Sequence, residues 1–251
     1  MTVSNADGPK LVGYLPVGYP DLQGSIDAVV ALATHGVDGI ELGIPYTDPV
    51  MDGPVVQEAA QAALEAGFRL RDVFAAIRGI RAAGVEVPIW VMTYWNPVVQ
   101  YGVDRFADDL KSAGAQGLIT PDITPDSAAD WIAASDRTGL DRIFLAAPTS
   151  TDERLDMIVR ASRGWIYAVS TMGVTGVRED VDQAARTLVA RLKTHGAERV
   201  NVGIGISNAA QVAEVQTYAD GAIVGSAIVR AVIRDGVAGA ARIAEELSGR
   251  R

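Results

Sequence analysis

Short apolar runs alternate with amphipathic stretches from one end of the chain to the other. The runs at 11–14, 39–42, 88–93, 117–120, 142–146, 165–170, 200–203 and 221–224 are mostly continuous in hydrophobicity. That is the pattern of parallel strands covered on both faces. Between them, 25–34, 71–83, 104–113, 127–135, 151–160, 181–193 and 208–217 repeat apolar residues at helical spacing, and 227–234 and 237–247 follow the last run. Eight strands alternating with helices is the stave count of a closed (β/α)8 TIM barrel. A doubly wound open sheet usually has fewer strands and often a glycine-rich first turn, which is absent here. The pattern predicts an α/β fold: a single (β/α)8 barrel domain over residues 1–251, with its active site at the C-terminal ends of the strands.

Local signals agree with this. The joints His35-Gly36-Val37-Asp38-Gly39-Ile40, Ala113-Gly114-Ala115-Gln116-Gly117-Leu118 and Tyr218-Ala219-Asp220-Gly221-Ala222-Ile223 each place a small residue and a glycine ahead of an apolar strand. Glycine there can end a helix in the left-handed conformation. Ser25, Asp104, Ser127, Thr151 and Asn208 are the expected helix caps. No Pro/Ser-rich linker or composition shift divides the chain.

Composition narrows the chemistry. Of 251 residues, 22 are Lys or Arg and 31 Asp or Glu, a net charge of −9, which argues against a nucleic-acid partner. With 49% hydrophobic residues the chain can bury a full core. The absence of cysteine excludes disulfides, thiolate nucleophiles, zinc–thiolate sites and iron–sulfur clusters. The two histidines, His35 and His195, both stand at predicted helix C-termini before glycine, where an imidazolium complements the helix dipole, and both are read as structural. A multi-histidine metal site has little to draw on, and no metal is expected. No apolar run approaches the roughly 20 residues of a membrane span. The opening MTVSNADGPK lacks the basic and apolar regions of a signal peptide, so a cytoplasmic location is expected.

The polar residues at strand ends carry the candidate chemistry. Glu41 lies inside the apolar second strand, where helices would cover an outward side chain. Facing inward at the barrel mouth it would be desolvated, with its pKa raised into a range suited to proton transfer. The alternative is a paired carboxylate of the barrel interior. Asp52 sits in the Pro/Gly-rich loop that follows, either as a functional carboxylate or as a turn or cap residue. Val202-Gly203-Ile204-Gly205-Ile206-Ser207 and Val224-Gly225-Ser226-Ala227 end strands 7 and 8, the usual phosphate position in barrel enzymes. The small-residue stretch 170–180 after strand 6 is a mobile lid or an ordinary loop, and composition does not choose between them. Tyr14, Tyr94 and Tyr167 fall at or near strands and are placed either to line a slot for a flat ligand or to pack.

Glu41-Leu42-Gly43-Ile44-Pro45-Tyr46-Thr47-Asp48-Pro49 with Asp52-Gly53-Pro54 closely resembles the signature of the tryptophan synthase alpha subunit family. The likeness runs from Leu11 onward through Gly13-Tyr14-Leu15-Pro16, Met92-Thr93-Tyr94-Trp95-Asn96-Pro97, Thr120-Pro121-Asp122, Gly173-Val174-Thr175-Gly176 and both glycine-rich turns. It implies retro-aldol cleavage of indole-3-glycerol phosphate to indole and glyceraldehyde 3-phosphate. Glu41 would then transfer protons, and Asp52 would stabilise positive charge at the indole N–H. The phosphate would rest on Gly176, Gly205, Gly225 and Ser226. Tyr14, Met92, Tyr94, Ile119, Tyr167 and Ile223 are the expected indole pocket, and Thr175 the lid residue that meets Asp52. No cofactor is implied for this chain, because pyridoxal phosphate belongs to the beta subunit, the expected partner in an alpha2beta2 heterotetramer. Asp48, Pro49, Asn96 and Pro97 match segments that face that partner.

Three features depart from the family pattern. Only Met1–Lys10 precede the first strand, where relatives carry an amphipathic helix; either another element plugs that end or the chain starts late. Thr124 stands where many relatives have proline, and Thr171 where a basic residue is common. The alternative reading keeps the chemistry without the partner: a stand-alone lyase that releases free indole.

Overall fold

The computed structural model describes residues 8, 10–169, 178–203 and 205–249. Its strands are β1 (Leu11–Pro16), β2 (Gly39–Gly43), β3 (Ile89–Met92), β4 (Gly117–Ile119), β5 (Asp141–Ile143), β6 (Leu145–Ala146), β7 (Ile166–Val169), β8 (Val200–Gly203) and β9 (Gly221–Val224). All pair in parallel in the order β5-β4-β3-β2-β1-β9-β8-β7-β6. The two ends of this order are joined by Phe144 alone, whose carbonyl accepts the Tyr167 N–H at 3.1 Å. The sheet therefore closes into a barrel of eight staves. The expected continuous strand 142–146 is corrected to two pieces. Its first half bonds to β4 and its second half to β7, so Phe144 belongs to neither ladder.

The helices are α1 (Leu22–Thr34), α2 (Pro54–Glu65), α3 (Arg71–Ala82), α4 (Trp95–Tyr101), α5 (Val103–Ala113), α6 (Ala129–Thr138), α7 (Asp152–Ala161), α8 (Arg178–Thr194), α9 (Ala209–Val215) and α10 (Ser226–Ser248). Two of them, α2 and α4, were not expected. The buried face of α2 is Val56 with three alanines, which leaves little hydrophobic contrast to read. The seven residues of α4 are too few to show a period. Helix α10 breaks at Gly236 (φ 58°, ψ −140°), which separates the two stretches read from the sequence.

Thr151 and Asn208 cap α7 and α9 as expected, accepting from the Arg154 and Gln211 N–H groups. Three cap expectations are corrected. Asp21, not Ser25, caps α1 by accepting the Gly24 N–H at 2.7 Å, while Ser25 is buried and accepts the Gly18 N–H. Asp104 lies in the first turn of α5, which is preceded by Gly102. Ser127 ends a single 3-10 turn ahead of α6. Gly36 (φ 116°) and Gly114 (φ 96°) take the expected positive φ, whereas Gly221 is extended in β9.

Strand alternation divides the core into two apolar layers. Ile40, Leu42, Val91 and Leu118 point outward to the helices. Val12, Trp90, Ile119, Ile143, Trp165 and Ile223 fill the interior. The Trp90 and Trp165 rings meet edge to face at 5.5 Å, toward the strand N-termini. Among the described residues no helix is long and apolar enough to cross a membrane.

Candidate active site

Glu41 is inward because its neighbours Ile40 and Leu42 are committed to the outer layer, and the register sets it beside Tyr14 and Trp90. It is only 1% exposed, and its Oε2 has no hydrogen-bond partner among the described residues. Burial, reinforced by the charge of Asp52, pushes its pKa up to about 8. Asp52 sits half-buried in the loop between β2 and α2, where burial pushes its pKa up to about 6. The two groups are thus set apart as an acid that holds its proton at neutral pH and a carboxylate that mostly does not.

Both carboxylates line one cavity of about 340 Å³, together with Tyr14, Met92, Tyr167, Ile223, Gly205, Gly225 and Ser226. Glycine is needed at two points of its wall. A Cβ on Gly43 would lie 2.2 Å from the Tyr14 hydroxyl oxygen, and one on Gly203 2.3 Å from that of Tyr167. Without those side chains the two rings can lie across the strand ends and form a flat apolar slot. Burial pushes both phenols well above their ordinary range, so they remain neutral hydroxyls. Ser226 opens α10 one residue after β9, so the free first N–H groups of the helix and the Ser226 hydroxyl are donors of the kind that can face an anion. Gly205 takes φ +63° in the neighbouring turn.

Two residues expected in the pocket do not line it. Ile119 lies in the inner apolar cluster with Trp90 and Ile143. Tyr94 turns its hydroxyl to the Asp52 loop, where it accepts the N–H groups of Val50 at 3.0 Å and Met51 at 2.9 Å. Its ring packs on Tyr46 at 5.3 Å between centroids. Thr175, Gly176 and Thr171 lie outside the described residues. His195 is held by Asp156 at 2.6 Å, which raises its pKa, and His35 contacts the Ala31 carbonyl; neither lines the cavity.

The cavity also takes in residues that sequence reading missed, among them Met51, Val56 and Arg230. Val56 was hidden with its helix. Arg230 had one available signal, its position one helical turn after Ser226. Among the described residues no group of three or more His, Asp or Glu is placed to hold a metal ion.

The family model described as tryptophan synthase alpha chain matches residues 2–248. The tryptophan synthase alpha chain of Leifsonia xyli subsp. xyli is 66% identical over 238 residues, 95% of this chain and 91% of that one. That of Mycobacterium marinum is 54% identical over 238 residues, 95% and 87% of the two chains. A structure of Mycobacterium tuberculosis tryptophan synthase superposes with a TM-score of 0.90 at 52% identity, covering 97% of this chain and 92% of that one. A chain of the tryptophan synthase complex from Pyrococcus furiosus gives a TM-score of 0.86 at 33% identity, with 96% and 98% covered.

Proposed function

The chain belongs to the tryptophan synthase alpha chain family, and we propose that Glu41 and Asp52 perform its reaction, with the substrate phosphate held by Gly205, Gly225 and Ser226. The reaction is the lyase step that cleaves indole-3-glycerol phosphate to indole and glyceraldehyde 3-phosphate. The relatives and structures named above all carry the synthase name, so the stand-alone lyase reading is not favoured.

The observation that carries the residue assignment is the pair of differently tuned carboxylates in one cavity with the Ser226 turn. Indole leaves poorly as a carbanion until C3 of its ring is protonated. Glu41, protonated at neutral pH and with Oε2 unpartnered among the described residues, delivers that proton. The positive charge that develops on the indole N–H is stabilised by the Asp52 carboxylate. Glu41, now ionised, takes the proton of the side-chain hydroxyl next to the breaking bond. The C–C electron pair returns to the ring, and the hydroxyl carbon becomes the aldehyde. Tyr14, Tyr167, Met92 and Ile223 hold the ring flat during these steps. Both steps are proton transfers, and this chain calls on no cofactor for them; pyridoxal phosphate belongs to the beta subunit.

The reading extends to a single barrel domain over residues 1–251 and to an alpha2beta2 assembly with a beta subunit. Asn96 donates to the Tyr46 hydroxyl at 3.2 Å, which gathers the 46–50 loop and α4 at one edge of the mouth. Val50 and Val99 are exposed at this edge, as suits a partner surface. A cytoplasmic setting accords with a phosphorylated metabolite as substrate.

The deciding experiment is Glu41→Gln, assayed for indole release and for binding of inorganic phosphate. Loss of a group that serves as both acid and base should lower turnover by about 10³-fold or more, with phosphate binding kept. Turnover within about tenfold of the parent would overturn the assignment.

A further inference from the structure

Arg230 stands in α10 four residues after Ser226, so its side chain rises from the same helix face about one turn further on. It is the one cation among the described residues that line the catalytic cavity, whose titratable walls otherwise include Glu41 and Asp52. Other arginines of the barrel are pinned: Arg154 to Asp126, Arg191 to Asp152 at 2.7 Å, Arg242 to Asp235 at 2.5 Å. Even Arg234, one turn beyond Arg230, is paired with Asp235 at 2.6 Å. Arg230 is exposed and has no hydrogen bond or ion pair within the described residues. Near the N-terminal end of its helix a cation gains nothing from the helix dipole. Local structure therefore gives no account of a guanidinium at this place.

The charge balance of the cavity does. A phosphate monoester arrives as a dianion at a chain of net charge −9, into a cavity that already holds an ionised Asp52. The Ser226 hydroxyl and the backbone N–H groups offer dipoles but no countercharge. A guanidinium adds the charge and a planar fork that matches two phosphate oxygens. We propose that Arg230 is the cationic element of phosphate recognition, folding over the anion bound at Ser226 and selecting phosphorylated ligands over neutral ones. This rests on the reading of the cavity as the indole-3-glycerol phosphate site. The step is non-covalent, and Arg230 takes no part in the proton transfers.

The test compares Arg230→Gln, Arg230→Lys and Glu41→Gln in steady-state cleavage of indole-3-glycerol phosphate at low and high salt. Arg230→Gln should raise KM about tenfold at low salt, the scale of a charge-assisted contact at a screened site, with kcat within about twofold of the parent. Its kcat/KM should lose most of its salt dependence, which screening imposes on the parent above about 0.1 M. Arg230→Lys should recover most of the KM. Affinity for inorganic phosphate should fall in parallel, while indole, which carries no phosphate, binds Arg230→Gln as it binds the parent. An unchanged KM with unchanged salt dependence would overturn the proposal, as would a loss confined to kcat. Glu41→Gln separates the two readings. If it is inactive while Arg230→Gln behaves as the parent, only the role of Arg230 fails; if it is active, the reading of the cavity fails with it.

Discussion

A carboxyl at about 8 and another at about 6 within one cavity should give the cleavage a bell-shaped dependence on pH if Glu41 and Asp52 carry it as proposed. Below about 6 Asp52 loses its charge, and above about 8 Glu41 has no proton to give, so kcat/KM should peak between them. Asp52→Asn should impair cleavage severely and abolish the acid limb. Because the Asp52 charge helps to raise Glu41, the alkaline limb of the residual activity should also move to lower pH. A pH–rate profile checks both shifts, and an alkaline limb that stays in place would deny the coupling. The same burial acts on stability. Glu41 titrates from an ordinary 4.5 when unfolded but at about 8 when folded, so between those values the native state binds more protons. Stability from this group is lost as pH rises through that window, by a few kcal/mol in order of magnitude. Glu41→Gln should therefore be stabilised relative to the parent at pH 9 and not at pH 5, read as the difference in thermal midpoints.

At the scale of elements, the loop between β2 and α2 has to hold Asp52 in place without secondary structure of its own. Tyr94, just ahead of α4, does this by accepting two consecutive loop N–H groups, from Val50 and Met51. Tyr94, expected from the sequence among the ring-binding residues, gives its hydroxyl to the loop instead. Val50 is exposed, so in Tyr94→Phe water replaces the lost acceptor and the stability cost should be only about 1 kcal/mol. On the role proposed for Asp52 the kinetic cost should be larger, about tenfold in kcat, because a carboxylate displaced by an ångström from its working position acts poorly. Kinetics and thermal unfolding of that variant give the comparison, and a parental kcat would show that the clamp has no part in catalysis.

Over the whole molecule, the two ends of the barrel interior are built differently. The mouth leaves a cavity lined by glycines and carboxylates, while at the opposite end the edge-to-face indoles of Trp90 and Trp165 line a second cavity of about 360 Å³. The Trp90 indole N–H donates to Asp141 at 3.1 Å, whereas the buried Trp165 N–H has no partner among the described residues. Trp90→Phe removes a satisfied hydrogen bond from a half-buried carboxylate; Trp165→Phe removes an unsatisfied donor. At similar loss of volume, Trp90→Phe should be the less stable by about 1 kcal/mol or more in denaturant unfolding. Equal costs would show that the two indoles contribute through packing alone.

The sequence by itself determined the barrel, its eight staves and the segments that reach the mouth, because strand and helix periods are local properties of the chain. It also pointed to Glu41, since a carboxylate between Ile40 and Leu42 has only the interior to face once those two are covered by helices. Tertiary structure alone decided how far each carboxylate is desolvated, that Ile119 joins the inner apolar cluster, and that Tyr94 bonds a loop more than 40 residues away in the chain. It alone brought Arg230 to the same cavity as Asp52. These are consequences of which side chains meet across staves distant in sequence. Burial and hydrogen bonding depend on that company, and local pattern carries no record of it.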